Sequence, residues 1–231
     1  MPKTLSPPLF DKLQARTLRA RIAEQVRGAI LSGALKPGDR IVERSLAGQL
    51  GASLTAVREA LVELEGEGLI VKRPNATTCV AMPTAAQIAK IFEVRNVLEP
   101  FAVELAARHA TPGQVAKLEG FYLGMVDAAR RHNIAAYLEK DFAWHELVWT
   151  MTDNEYLRSA LKRMLLPMFT LKMLLPPDDA SVDWVGDAIS HRAILKAIKS
   201  RDAKAARAAL LSATAKWQSN THNFVARGGA T

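Results

Sequence analysis

Apolar residues recur every fourth position at Leu18, Ile22, Val26 and Ile30, with Ala29 beside them, and Gly33 follows. That spacing is one face of a helix, so a helix is expected over 16–32 with glycine ending it. Lys36-Pro37-Gly38-Asp39 reads as a turn. A shorter helix is expected over 43–50, with Gly51 in the left-handed position that closes it. Ser53 is a good N-cap for a third helix burying Val57, Ala60, Leu61 and Leu64. Leu69-Ile70-Val71 and Thr77-Thr78-Cys79-Val80 read as two strands, joined by a turn at Lys72-Arg73-Pro74-Asn75.

After Met82-Pro83 the pattern becomes Ala/Leu-rich and helical, with no further strand. Thr84-x-x-Gln87 and Thr111-Pro112-x-Gln114 are spaced as capping boxes, the second with proline at its preferred first helical position. Helices are expected over 114–131, 134–150, 155–175, 180–200 and 203–226. Pro100 is expected to start a new helix and Pro167 to kink or split one. Pro176-Pro177-Asp178-Asp179 reads as a loop, and Gly228-Gly229 as the start of a frayed end. The fold class is mainly α. A mobile tail (1–12) precedes a winged helix-turn-helix (13–81), and an all-helical bundle (82–227) follows it.

Composition changes this picture in one respect. Net charge is +8, and residues 1–58 hold ten Lys/Arg against four Asp/Glu, whereas the last 151 residues carry only +4. Positive charge is densest where the first helices lie, as phosphate contact requires. No apolar run is long enough to span a membrane, and the first residues lack a secretory h-region. The single cysteine, Cys79, cannot form an internal disulfide, which fits a cytoplasmic chain. Two helices crossing through a tight turn place the second in the DNA major groove. Ser53, Leu54, Thr55 and Arg58 would then face base edges. Arg44, Lys72 and Arg73 would face the backbone.

These residues carry a resemblance. Ile30-Leu31-x-Gly33-x-Leu35-x-Pro37-Gly38, Leu46-Ala47, Val57-Arg58-Glu59-Ala60-Leu61 and Gly68-Leu69 resemble the winged helix of the GntR family of bacterial repressors. That family usually has arginine directly after the helix-capping residue, where this chain has Leu54. The change removes a guanine contact worth about 1–3 kcal/mol of discrimination, and leucine instead suits a thymine methyl. The family's wing usually carries a glycine at its tip, where this chain has Asn75-Ala76-Thr77. An operator differing from the family's common one is expected.

In the second half, Asp141-x-x-x-His145 puts two ligand-type side chains on one helix face, and His191 lies on another helix. Asp with two His is a chelating set for Zn, Ni or Mn. A His hydrogen-bonded to a buried Asp gives the same spacing. Arg95-x-x-x-Glu99, Asp141-Phe142-x-x-His145, Asn154 and His191-x-x-Ile194-Leu195-x-Ala197-Ile198 together resemble the FCD ligand-binding domain of the FadR subfamily. The resemblance implies a bundle that binds a small carboxylate effector, with Arg95, Glu99 and Asn154 in the pocket. In metal-binding members it also implies a divalent ion held by Asp and three His. Here the third His position is Ala213. The expected function is a homodimeric repressor on double-stranded, pseudo-palindromic DNA, modulated by a small organic acid. The alternatives are a metalloenzyme centred on Asp141, His145 and His191, and an effector-independent DNA-binding protein.

Overall fold

The periodic apolar face of the first segment does form a helix: α1 (Leu18–Leu31) buries Ile22, Ala23, Val26 and Ile30. The computed structural model describes residues 18–73, 77–174 and 182–226. Next come β1 (Arg40–Ile41), α2 (Glu43–Leu50) and α3 (Leu54–Gly66). Gly51 adopts φ 58°, ψ 33°, and its N–H reaches back to the carbonyls of α2. This left-handed residue lets the chain turn sharply into α3. Ser53 accepts a hydrogen bond from Ala56 N at 3.2 Å and so caps α3. Val57, Ala60, Leu61 and Leu64 form its buried face, as their spacing predicts.

The wing is β2 (Ile70–Arg73) and β3 (Thr77–Val80), antiparallel, with β1 on the other side of β3. The two-residue β1 is too short to show as alternation in sequence. Lys72 and Arg73, expected in the turn, belong to β2 and lie opposite Thr78 and Thr77. Pro74 and Asn75 fall outside the described residues.

The second half contains α4 (Ala85–His109), α5 (Pro112–Arg130), α6 (Ile134–Thr150), α7 (Glu155–Leu171), a 3₁₀ turn (Lys172–Leu174), α8 (Trp184–Lys199) and α9 (Ala203–Ala226). Both capping boxes form, at Thr84 with Gln87 and at Thr111 with Gln114. Pro100 does not start a helix; it lies buried inside α4. A mid-helix proline removes one hydrogen bond and costs about 3 kcal/mol. The packing of α4 against α6, α7, α8 and α9 holds the helix together across it. The proline loop at 176–179 and Gly228-Gly229 lie outside the described residues.

Pro167 likewise sits inside α7 without ending it. Its ring nitrogen has no hydrogen to give the carbonyl of Arg163, four residues earlier. That carbonyl faces Gly68 at the end of α3: a Cβ built on Gly68 would fall 2.5 Å from Arg163 O. A hydrogen fits there and a methyl does not. Gly68 also has φ +80°. Proline on one side and glycine on the other thus allow the body's backbone to meet the head's.

Two hydrophobic cores result. One joins α4 to α9 around Phe92, Leu118, Tyr137, Trp144, Trp149 and Leu161. The other fills the head with Ile22, Ile30, Val57, Leu61, Leu64 and Leu69. Leu166 of α7, fully buried, belongs to the head's core although it lies in the helical body. Leu35 and Leu46 are partly buried and pack against it.

Candidate functional site

In the head, the N-terminus of α3 is open. Ser53, Thr55 and Arg58 are exposed and Leu54 is half-buried, while Val57 turns inward. Arg44 on α2 and Arg73 on the wing are also exposed. The seven residues expected at DNA therefore lie on the head's surface rather than in its core. Two of the cations are held by neighbouring carboxylates. Arg58 Nε donates to Glu43 Oε2 at 2.8 Å, and Lys72 Nζ lies 3.3 Å from Glu65 Oε2. The Arg58–Glu43 pair links the first turn of α2 to α3 and fixes where the guanidinium starts from.

In the body, Asp141 and His145 of α6 and His191 of α8 converge, all buried. His145 Nδ1 lies 2.9 Å from Glu99 Oε1, and His191 Nδ1 lies 3.0 Å from the carbonyl of Asp187. Both rings therefore aim Nε2 inward. The two Nε2 atoms are 3.4 Å apart, and they lie 3.7 and 3.3 Å from Asp141 Oδ1. Arg95 closes the other side of Glu99, its Nε donating to Oε2 at 2.6 Å. Arg95 and Glu99 are thus a buried pair of α4, 8% and 1% exposed.

One group here was not expected from sequence. Lys172, buried on the 3₁₀ turn, donates to Asp141 Oδ2 at 2.7 Å and to Asp187 Oδ2 at 3.2 Å. Its ammonium lies 4.3 Å from the Trp217 ring centroid and 5.7 Å from those of Tyr137 and Phe169. Asp187 also accepts from the Tyr137 hydroxyl. A signal for Lys172 was available, since it is the one charged residue in the apolar run from Leu165 to Leu175. Asp187 and Trp217 carried none.

Charge within this cluster is finely set. Burial would raise the Asp141 carboxyl, but Lys172 and the two imidazoles outweigh it and hold the group well below the usual carboxylate range. Burial would likewise raise Glu99, but Arg95 and His145 bring it to about 2. Burial pushes the Lys172 ammonium toward its neutral form, but Asp141 and Asp187 overcome this and raise it. For His145 burial wins over Glu99 and the value falls. For His191 the hydrogen bond and charge of Asp141 win over burial and the value rises.

A cavity opens on this cluster. Arg95, His145, Lys172, His191, Ala213 and Trp217 are among its walls, with Leu165, Met168 and Phe169 of α7 along one side. Its interior is narrow, about 30 Å³, enough for bound water. Asn154, expected in the pocket, does not line it. Asn154 caps α7 instead, accepting from Leu157 N at 3.0 Å.

The description "Bacterial regulatory proteins, gntR family" matches residues 18–80, and "FCD domain" matches residues 90–214. The chain is a GntR-family regulator with an FCD domain. It fits the FadR-like branch of that family. It is similar to the "HTH-type transcriptional regulator McbR" of Escherichia coli (strain K12), at 34% identity over 112 residues. That match spans 48% of this chain and 51% of McbR, about half the length of the relative. A longer match, 29% identical over 213 residues, is to the "Probable D-xylose utilization operon transcriptional repressor" of Paenarthrobacter nicotinovorans. It covers 87% of this chain and 89% of that protein. Among solved structures, E. coli McbR/YncC shares the fold, with a TM-score of 0.77 at 22% identity over 93% of this chain and 99% of that one. The family and these relatives are transcriptional regulators, which removes the metalloenzyme alternative.

The metal site that the FCD resemblance implied is tested by this GntR regulator's own donors. Bonds of about 2.0–2.1 Å at tetrahedral angles put neighbouring ligand atoms about 3.3 Å apart. The observed separations of 3.3, 3.4 and 3.7 Å suit that spacing. Three donors supply at most a site with an open fourth position, and the charge around them is less suited. The fourth ligand position is Ala213, which lines the cavity with a methyl group. The carboxylate of Asp141 is already neutralised by a buried ammonium at 2.7 Å. As a complete four-ligand centre, the residues present do not fit. Among the described residues, no helix is long and apolar enough to cross a membrane.

Proposed function

We propose that this regulator binds a pseudo-palindromic operator as a homodimer and that a small organic acid in the body's cavity changes its operator affinity. One observation carries the reading: the cavity and the head share a helix. Leu165, Met168 and Phe169 of α7 line the cavity, while Leu166 of the same helix completes the head's core. The cation Lys172 follows α7 directly. A ligand that shifts this turn pulls on the helix that seats the head, so the acid's preference for one arrangement becomes a change in DNA affinity.

The cavity suits an acid by its charge. Arg95 and Lys172 supply permanent cations, and guanidinium groups match planar carboxylates. Two heads are needed to read two half-sites. Val94, Val97 and Phe101 leave an apolar stripe exposed along α4, a face that suits a second copy. The relatives named as repressors favour repression as the sign of control.

The test is fluorescence anisotropy on DNA from upstream of the gene, with and without a panel of small acids. Salt-sensitive binding that at least one acid shifts about tenfold or more, a coupling of about 1.4 kcal/mol, is the expected result. Binding that no acid alters would leave an effector-independent regulator.

A further inference from the structure

We propose that the Lys172 ammonium is a built-in cation that replaces the divalent ion in this pocket and, with Arg95, receives the effector's carboxylate. This rests on the effector reading above for its ligand class, but the exclusion of metal stands on the residues themselves.

The ammonium is built into the site by two carboxylates and three aromatic rings. It lies 2.7 Å from Asp141 Oδ2 and 3.2 Å from Asp187 Oδ2, and the rings of Tyr137, Phe169 and Trp217 surround it. A buried, flexible lysine in an apolar run is held in this way only at considerable desolvation cost, which carboxylates and aromatic faces offset. An ammonium has three donors. Two are used by Asp141 and Asp187 among the described residues, and Lys172 lines the cavity. Among the described residues no third oxygen accepts from it, so the remaining N–H can meet an incoming oxygen anion.

The same lysine opposes a metal. A divalent ion seated among Asp141 Oδ1 and the two imidazole Nε2 atoms would share one carboxylate with the ammonium. Like charges sharing one carboxylate repel strongly where water is excluded. The ion would also lack a ligand at Ala213. The absent fourth ligand and the internal cation are complementary: the pocket has a positive centre beside Asp141 without needing an ion. Asp141, His145 and His191 then act as a hydrogen-bonding frame that positions the ammonium.

The experiment uses full-length protein dialysed against EDTA, with Ni²⁺ and Zn²⁺ as probes read by calorimetry and elemental analysis. Wild type is expected to retain almost no metal and to bind Ni²⁺ weakly. Lys172→Met should bind Ni²⁺ about a hundredfold more tightly or better. Because that variant leaves Asp141 unpaired and is at risk of misfolding, a second pair is measured. Ala213→His alone, which restores the fourth ligand, should gain little affinity, while Ala213→His with Lys172→Met should form a tight site. A wild-type chain holding one equivalent of metal through dialysis overturns the proposal. So does tight binding by Ala213→His alone, or a Lys172→Met variant no tighter than wild type.

The acid arm uses the chelated protein with acetate, malonate, succinate and gluconate, read as a thermal shift. Stabilisation that persists in EDTA and disappears in Lys172→Met supports the proposal. Stabilisation that requires added metal overturns it. A chain that excludes metal but responds to no acid would sink the effector reading while leaving the internal cation in place.

Discussion

Arg58 and Glu99 show how one side chain's partner decides what it does. Arg58 sits one turn into α3, exposed, yet its guanidinium is engaged by Glu43 at 2.8 Å. An exposed pair of this kind contributes at most about 1 kcal/mol to stability. In the operator complex proposed above its larger effect would be on DNA, since the carboxylate would compete with phosphate or base for the same guanidinium. Arg58→Ala is expected to weaken operator binding and to lower the salt slope by about one unit for each lost phosphate contact. Glu43→Gln is expected to strengthen binding. Anisotropy titrations at several salt concentrations check both, and unchanged affinity in the two variants would remove Arg58 from the interface. Glu99 acts on stability instead. Its ordinary value of 4.5 falls to about 2 in the fold because Arg95 and His145 outweigh burial. A depressed carboxylate contributes stability fully above its unfolded value, and that stability is lost as pH falls toward the folded one. The shift corresponds to about 3 kcal/mol at neutral pH. Glu99→Gln should therefore be less stable than wild type at pH 7, with the gap narrowing between pH 4.5 and 2. Urea melts across that range would show it, and a gap that does not change with pH would refute the assignment.

At the scale of elements, the periodic segments could be read from sequence and the prolines could not. Ser53, Thr84 and Thr111 cap the helices their spacing announces, because a cap depends on residues three positions away. Pro100, expected to start a helix, and Pro167, expected to kink or split one, both lie inside helices that continue past them. The reason is tertiary: α4 and α7 each bury a face around the proline, and that burial exceeds the loss of one hydrogen bond. For Pro167 the loss is also used, since the freed carbonyl of Arg163 meets Gly68. Gly68→Ala is expected to destabilise the protein by more than 1 kcal/mol, because φ +80° and a 2.5 Å approach both oppose a methyl. Thermal melts, with DNA affinity measured alongside, check this. A fully stable Gly68→Ala chain would show that head and body do not meet there.

For the whole molecule, the decisive residue is Leu166. It sits in the helical body by sequence and in the head's core by packing. Removing such a buried leucine side chain costs about 2–5 kcal/mol. Because the lost contacts belong to the head, Leu166→Ala should separate one calorimetric unfolding transition into two, with the head melting first. A single transition at lower temperature would mean that head and body are joined by more than this contact. The same helix faces the cavity with Leu165, Met168 and Phe169, so the variant should also blunt any response of DNA binding to acids.

Sequence by itself determined what depends on near neighbours: the helical face of α1, the Gly51 turn and Ser53 cap, the concentration of positive charge in the head, and the Asp141-x-x-x-His145 face. Tertiary structure alone decided what depends on elements far apart in the chain. It brought Lys172 to Asp141 across 31 residues, placed Asn154 at a cap rather than in the pocket, and set Leu166 in the other domain's core. Helix periodicity and capping are enforced within a few residues by backbone geometry. Which buried charge meets which is settled only when separate helices pack, because each must find a partner to offset the water it has lost.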